Sequence, residues 1–470
     1  MKPITLSMTG VQHQQLKDHL FPGDNKEAIA FLACNRRNGD RRHRLLVREV
    51  FPVPHIACHH RGPSSVSWPT EAIMPLLEAA VGECYSLIKV HSHPTGYPDF
   101  SVMDDKADGE LLPAIQKWVE HDHPHGSAIM FPDGQLCGRY MDSRGQLVDI
   151  ATISVTGDNL QFWYAENIGS TTPNFAASHG QVFGAGTFER LNKLSVAVIG
   201  CSGTGGPVID QLLRLGIGQL VLVDDDVVEP RNVNRIPYST IEDGLEARAK
   251  VDVFEEMAQR TGLGTEVITH QQNLWNRDTV LSVAQCDVVI GCMDSLDGRY
   301  LLNTLATYYT LPYLDLGVCL DTHRAPDKAG QIREACGTVH YLQPGQSSLM
   351  SRDVFNMQAV AAAGLKRTDP DAFEGQLDEG YIKGVHEKQP AVISLNMFAA
   401  SLAIMELLAR IHPYREEPNA QYASTEFSLA SAELFPDKDP GPCPLLNDKV
   451  GLGDRSPTLD LPALSRKATT

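Results

Sequence analysis

The 470-residue chain has no C-x-x-C pair among its ten cysteines, no internal repeat and no low-complexity tract. It also has no uninterrupted apolar run approaching the ~20 residues that a membrane-spanning helix needs. Each absence removes a class. Scattered cysteines fit a reducing compartment and argue against a disulfide scaffold. The start, MKPITLSMTGVQHQQL, lacks the basic-then-apolar signature of a secretory signal, so a cytoplasmic location is expected. Positive charge is scarce as well: 40 Lys and Arg stand against 58 Asp and Glu, a net charge of −18. A surface this acidic disfavours nucleic acid and anionic membrane as partners, because both are held by basic patches. What is present is ordinary for packed cores, with 42% hydrophobic and 21% charged residues. At about 150 residues per domain the chain has room for two to four domains.

The pattern along the chain divides it. Residues 1–160 read as α+β. An amphipathic stretch at 10–20 precedes an apolar strand at 26–34, turn chemistry in NRRNGDRR (35–42), and a second hairpin strand at 45–53. A helix is expected over 69–82, a strand over 85–91, and a second helix over about 101–121, followed by two more strand–turn–strand signals. Residues 161–190 are polar, small and Gly-rich, a linker by composition. From 191 to 415 strands and helices alternate: KLSVAVIG, a Gly-rich turn and helix, GQLVLVDDD, CDVVIGC and LPYLDLGV, closing with a long apolar helix over 391–411. Such alternation predicts a parallel, doubly wound α/β sheet. The extension 416–470 is rich in Pro, Asp and Ser and is expected to be partly extended.

Two constellations carry chemistry. The first is His91-Ser-His93-Pro, six residues, then Ser101-Val-Met-Asp104. Histidines two apart on a strand point the same way, so both imidazoles reach one ion, and an aspartate at a helix start supplies a third ligand from the side. Three protein ligands with one open position suit a catalytic zinc, whose water still needs a neighbouring general base and a donor to the oxyanion. Read alone, an H-x-H is more often a surface pair and Ser101 an N-cap. The whole string resembles the signature of the JAB/MPN (JAMM) zinc isopeptidases over about residues 8–155. The resemblance implies that His91, His93 and Asp104 bind zinc, that Glu27 activates water, with Glu49 as the alternative, and that Ser101 stabilises the tetrahedral intermediate. It also implies cleavage of peptide or isopeptide bonds at the C-terminus of ubiquitin-like proteins.

The second constellation is Gly200-Cys-Ser-Gly-Thr-Gly-Gly206, a Gly-rich turn between an apolar strand and a helix, with Asp224 about twenty residues on. By itself this fits an NAD-binding dehydrogenase equally well. Asn232, Arg235, Lys250 and the segment Asp294–Asn303 discriminate, since hydride transfer has no evident use for Arg and Lys aimed at a nucleotide, whereas adenylation does. The ensemble resembles the ThiF/MoeB/ubiquitin-activating superfamily over about residues 186–412. The resemblance implies that Gly200, Gly203 and Gly205 shape a phosphate loop, that Asp224 holds the ribose, that Asn232, Arg235 and Lys250 contact ATP, and that Asp294 binds magnesium. Ser202 and Ser295 replace the usual Gly and Asn. The two C-x-x-C pairs that hold a structural zinc in many members are missing: PGQSSLMS (344–351) stands where the first would fall, and the second is reduced to Cys443. For the arginine that relatives contribute from before the first strand, Arg190 is the nearest candidate. No cysteine lies between Cys336 and Cys443, so Cys336 is the candidate thiol, read first as an unreactive one.

Together the two resemblances imply a bifunctional enzyme of a bacterial ubiquitin-like system, using zinc, ATP and Mg2+. Its partner would be a ubiquitin-like or sulfur-carrier protein ending in glycine, with a conjugating enzyme or sulfurtransferase nearby, and the chain is expected to be a homodimer. Maturation of a sulfur carrier for cofactor or cysteine synthesis, and a modifier-binding scaffold with one inactive site, are the alternatives.

Overall fold

A computed structural model describes residues 2–166, 174–177, 181, 185–322, 331–378 and 392–465; parts of the 161–190 linker and Ala391 at the start of the expected late helix lie outside these. The chain divides into two compact units, one of Met1–Ile168 with Tyr308–Thr310 and Lys449–Arg455, the other of the remaining residues.

In the first unit the elements are β1 (Ile4–Thr9), α1 (Gly10–Leu20), β2 (Ile29–Asn38), β3 (His43–Pro52), the short hairpin β4 (His60–Gly62) and β5 (Ser65–Ser67), α2 (Met74–Glu83), β6 (Ser86–Ser92), α3 (Val102–Val119), β7 (Gly126–Met130), β8 (Leu136–Met141), β9 (Leu147–Asp149), β10 (Thr152–Thr156) and β11 (Leu160–Tyr164). Nine strands form one sheet in the order β11-β10-β1-β3-β2-β6-β7-β8-β9. Strand β2 shows why the apolar run IAFLAC is unbroken: both its faces are buried. Ala30, Leu32 and Cys34 pack with Leu16 and Leu20 of α1, whereas Ile29, Phe31 and Ala33 pack with Leu76 and Leu77 of α2 and Ile115 of α3. The expected turn at 35–42 is shorter than its composition suggested. Strand β2 runs to Asn38 because Asn35–Asn38 pair with His43–Leu46, polar residues notwithstanding. Strand β1, which the sequence reading did not pick out, pairs parallel with both β3 and β10.

Strand β6 and helix α3 are joined by charge. Lys89 and His91 project from the same face of β6, and Asp108 and Asp104 from one face of α3. Two strand residues advance about 6.6 Å and four helical residues about 6 Å, so the two pairs align as rungs. Lys89 pairs with Asp108, which is fully buried and also accepts from Ser127 of β7 and from Arg139 of β8 (Nη2 2.7 Å, Nε 3.1 Å). Burial opposes the charge on Asp108, yet these partners hold its carboxyl below the usual range. Arg139 also reaches Asp105 at 2.5 Å and lies over the Phe100 ring, 3.8 Å from its centroid.

The second unit continues with α4 (Ala185–Lys193), β12 (Ser195–Ile199), α5 (Gly205–Leu215), β13 (Gln219–Val223), α6 (Ile241–Leu245), α7 (Lys250–Thr261), β14 (Glu266–His270), α8 (Arg277–Val283), β15 (Val288–Gly291), α9 (Leu296–Tyr308), β16 (Tyr313–Thr322), β17 (Ile332–Leu342), α10 (Met357–Thr368), α11 (Pro370–Asp378), α12 (Ile393–Ile411), β18 (Ser424–Ser428) and β19 (Glu433–Asp437). The sheet order is β14-β13-β12-β15-β16-β17-β18-β19. Strands β12 to β16 are mutually parallel, and β17 to β19 continue the sheet antiparallel. The expected α/β class and doubly wound architecture are present. The tail, expected to be partly extended, contributes β18 and β19 to the sheet, and its last residues, 466–470, lie outside the described residues. Helix α12 is apolar and long enough to cross a membrane on length and composition, with a mean hydropathy of 1.4, but 61% of it is buried. It packs on α5, β16 and β17, and buries an ion pair of Glu406 with Arg410 at 2.6 Å.

The segment PGQSSLMS meets Cys443 in space. Ser348 Oγ lies 3.1 Å from Cys443 Sγ, Ser347 Oγ donates to Asp439 at 2.7 Å, and Arg352 closes the cluster on Asp439 at 3.2 Å. Hydrogen bonds and one ion pair therefore join the segments that a thiolate-bound zinc would otherwise staple.

The buried Asp108 charge cluster yields a stability prediction. Asp108→Ala leaves Lys89 buried and uncompensated and should destabilise the first unit by about 3–5 kcal/mol. Trp68, Trp118 and Trp163 all lie in that unit, so the shift is read in the denaturation midpoint followed by tryptophan fluorescence.

Candidate functional site

The first site sits where β6 ends and α3 begins. His91 and His93 are 3% and 5% exposed, and their Nε2 atoms lie 3.1 Å apart. Asp104 Oδ1 is 3.0 Å from His91 Nε2, and Oδ2 is 3.9 Å from His93 Nε2. One ligand atom from each of the three falls within 4.8 Å of the others. His93 Nδ1 lies 2.8 Å from the Tyr97 carbonyl, so that nitrogen carries the proton and Nε2 is left as a free lone pair. Two imidazole nitrogens and a carboxylate converging this closely form a donor set that suits a zinc ion.

Asp104 is held by its own helix terminus. Ser101 caps α3, its backbone N–H and Oγ donating to Asp104 Oδ2 at 2.8 and 2.7 Å while its Oγ accepts from Asp104 N. Burial opposes ionisation of Asp104, but the His91 and Ser101 hydrogen bonds keep its carboxyl well below the usual range. The N-cap reading of Ser101 thus describes this geometry, with its hydroxyl directed at the Asp104 carboxylate.

Glu27 lies two residues before β2 and is 6% exposed. Its backbone N–H donates to the Gly62 carbonyl at 2.7 Å, and its carbonyl accepts from Arg61 Nε at 2.9 Å. The next residue, Ala28, is bonded in both directions to Ser92, which stands between the two histidines. Burial and the charge of Asp104 push the Glu27 carboxyl up to about 7, against the pull of Lys89. Such a carboxyl can take and return a proton near neutrality. The alternative base, Glu49, is exposed and stands opposite Ala33, whereas His91 stands opposite Ile29. Four residues of strand, about 13 Å, separate those rungs, so register places Glu49 away from the histidines.

The second site lies at the switch point of the second sheet, where β12 has β13 on one side and β15 on the other. Ligands of open α/β sheets bind beyond the strand ends at this point. Gly200 follows β12 with φ +91°, and a Cβ there would come 2.8 Å from the Cys292 carbonyl. At Gly205 a Cβ would overlap the Gly200 carbonyl at 1.8 Å, so both positions require glycine. Cys201 is fully buried in the loop, and its N–H donates to Asp224 Oδ2 at 2.7 Å. Asp224 therefore braces the loop from the end of β13. Lys250, at the start of α7, reaches Asp226 at 2.7 Å and Asp224 at 3.5 Å. Burial disfavours its charge, but these carboxylates raise its pKa and keep it protonated.

Asn232 is buried, its Oδ1 accepting from Glu229 N at 3.1 Å, and Arg235 is half-buried with Nη1 donating to the Arg231 carbonyl at 3.1 Å. Asp294 lies exposed beyond β15, and it joins no cluster of three metal-binding side chains among the described residues. The carboxylates that do cluster are Asp224, Asp225 and Asp226 at the end of β13. Arg299 is committed to the buried Asp315 at 3.0 Å, and Asn303 accepts from Leu349 N at 2.9 Å. Arg190 is exposed on α4. Cys336 stands directly across from Cys319 between β17 and β16, and burial together with Cys319 raises its thiol to about 11. A thiol so protonated at neutral pH is a poor nucleophile.

Two family models match the chain. The ThiF family model matches residues 176–444, and the model of prokaryotic homologs of the JAB domain matches residues 11–134. Adenylyltransferase and sulfurtransferase UBA4 of Meyerozyma guilliermondii is 32% identical over 132 residues, which is 28% of this chain and 30% of that protein. Ubiquitin-like modifier-activating enzyme 5 of Caenorhabditis elegans is 26% identical over 172 residues, covering 34% of this chain and 38% of its own. The chain thus spans about a third of the length of these curated relatives. Among solved structures, E. coli MccB with ATP aligns at 17% identity and a TM-score of 0.43, over 59% of this chain and 75% of MccB. The chain belongs to the ThiF family, and it carries a prokaryotic JAB domain on the N-terminal side of its ThiF domain.

Proposed function

We propose that the chain is a bifunctional enzyme acting on the C-terminus of a ubiquitin-like or sulfur-carrier protein: a zinc-dependent (iso)peptidase that trims or releases it, and an adenylyltransferase that activates it. The observation that carries this reading is the convergence of His91, His93 and Asp104 beside the buried Glu27, on a chain whose other unit holds a ThiF-family phosphate loop.

In the first unit His91, His93 and Asp104 would hold the zinc. The metal supplies Lewis acidity toward water and the scissile carbonyl. Glu27 takes the proton of the attacking water and returns it to the leaving amine, a role for which its raised pKa suits it. Ser101 orients Asp104 by donating its hydroxyl to Oδ2, and would stabilise the tetrahedral intermediate. In the second unit the N–H groups of the glycine loop, at the start of α5, offer donors to phosphate oxygens. A C-terminal glycine carboxylate attacks the α-phosphorus of ATP; the new C(O)O–P bond forms as the bridge to pyrophosphate breaks. Lys250 and Arg235 would offset the developing charge, and magnesium would be held by Asp294 or by the carboxylates Asp224–Asp226 at the end of β13. No thioester is proposed, because Cys336 remains a protonated thiol.

Elemental analysis should find one zinc per chain, since the Ser348–Cys443 cluster replaces a second site, and His91→Ala with His93→Ala should reduce it to none. Glu27→Gln should keep the zinc yet lower cleavage of a glycine-tailed precursor by about 100-fold or more. ATP–pyrophosphate exchange, stimulated by the small partner protein, tests the other half. Lys250→Ala should lower it by about 100-fold while cleavage is unaffected. Absence of exchange in the wild-type chain with every candidate partner would refute the adenylation half.

A further inference from the structure

Helices α10 and α11 are lightly attached to the second unit. They pack chiefly on each other, and across their length only Val360 and Phe373 are buried. Elements that bury so little apolar surface open locally at small cost. Among the described residues, the ion pair that ties them to the rest of the unit is made by Arg367, in the last turn of α10. Its Nε donates to Asp297 Oδ2 at 2.7 Å, and its guanidinium carbon lies 4.5 Å from the centroid of the Trp275 ring.

Both anchors border the candidate nucleotide crevice. Asp297 is buried in the first turn of α9, just after Asp294 and beyond β15. Trp275 follows β14 in a loop fastened at Asn273, which accepts from Trp275 N at 3.0 Å and donates to Asp225, next to Asp224, at 3.0 Å. In the sheet the ends of β13 and β12, with Asp224 and Gly200, lie between β14 and β15. Arg367 thus joins the two loops that flank the phosphate loop, at the edge where ligands of open α/β sheets bind. The Asp297 side chain is 4% exposed and that of Arg367 is 30% exposed. An ion pair and a cation–π contact with one partner partly in water can hold a lightly packed element and still release it.

We propose that α10 and α11 form a lid over the nucleotide crevice and that Arg367, held by Asp297 and Trp275, is its latch. The inference rests on the adenylation reading of that crevice. Closing the lid keeps water from the acyl-adenylate, a mixed anhydride that water would hydrolyse, and opening it admits ATP and releases products.

The test is stopped-flow binding of a fluorescent ATP analogue to the full chain with Mg2+, with hydrogen exchange and thermal unfolding alongside. A latch that is closed in the free chain slows entry and exit alike. Association and dissociation should therefore both quicken about five- to tenfold in Arg367→Ala and in Asp297→Asn, leaving Kd within about twofold of wild type. The double variant should be no faster than either single one, because the two residues act as one latch. Amide exchange over 357–378 should quicken in the variants, whereas exchange in α5 should not change. A rise in dissociation alone would overturn the lid, because it marks a side chain that contacts the nucleotide directly. Wild-type rates and wild-type exchange in both variants would overturn the inference alone. A wild-type chain that binds no analogue would overturn the adenylation reading and this inference with it.

Discussion

The alignment of β6 with α3 is the constraint on which the first site depends. Two strand residues and four helical residues cover nearly the same length, so Lys89 with Asp108 and His91 with Asp104 form consecutive rungs between the same two elements. The lower rung is a buried charge cluster tied into β7 and β8 through Ser127 and Arg139. It fixes the height and rotation of the helix. The upper rung then presents the Asp104 carboxylate to two imidazoles with little freedom left, as preorganised metal sites require.

Electrostatics separates two carboxyls that share this corner. Asp104, bonded to His91 and Ser101, stays ionised, whereas Glu27, buried and facing the charge of Asp104, is shifted to about 7. The opposite shifts of the two carboxyls follow from environment, not from residue type. The backbone hydrogen bonds that flank Glu27, to Gly62, Arg61 and through Ala28 to Ser92, hold that environment in place.

In the second unit the corresponding constraint is close backbone approach. Gly200 and Gly205 have no space for a side chain, and Asp224 anchors the loop from the neighbouring strand. Elsewhere in this unit a polar cluster joins distant segments. Ser347, Ser348, Arg352, Asp439 and Cys443 form it with hydrogen bonds and a partly buried ion pair.

Much of this was legible in the residues. The i, i+2 histidines, the S-x-x-D cap and the strand–glycine–helix turn are local patterns, and local geometry carries them unchanged into the fold. The unbroken apolar run of β2 is equally readable, although the polar end of that strand is not, because pairing with β3 overrides composition there. Other features had no local signature. Register and burial, which the sequence does not show, set Glu27 apart from Glu49, an exposed residue four strand positions from the His91 rung. Sheet pairing alone makes the Pro- and Asp-rich tail into β18 and β19. The partnership of Ser348 with Cys443 and that of Arg367 with Asp297 join positions 95 and 70 residues apart, brought together by packing that no window of sequence records. Sequence by itself determined which chemical groups the chain owns and the short-range spacing that gathers ligands and glycines. Tertiary structure decided which distant groups meet them and how burial sets their charge, because desolvation and long-range contact exist only once the chain has folded.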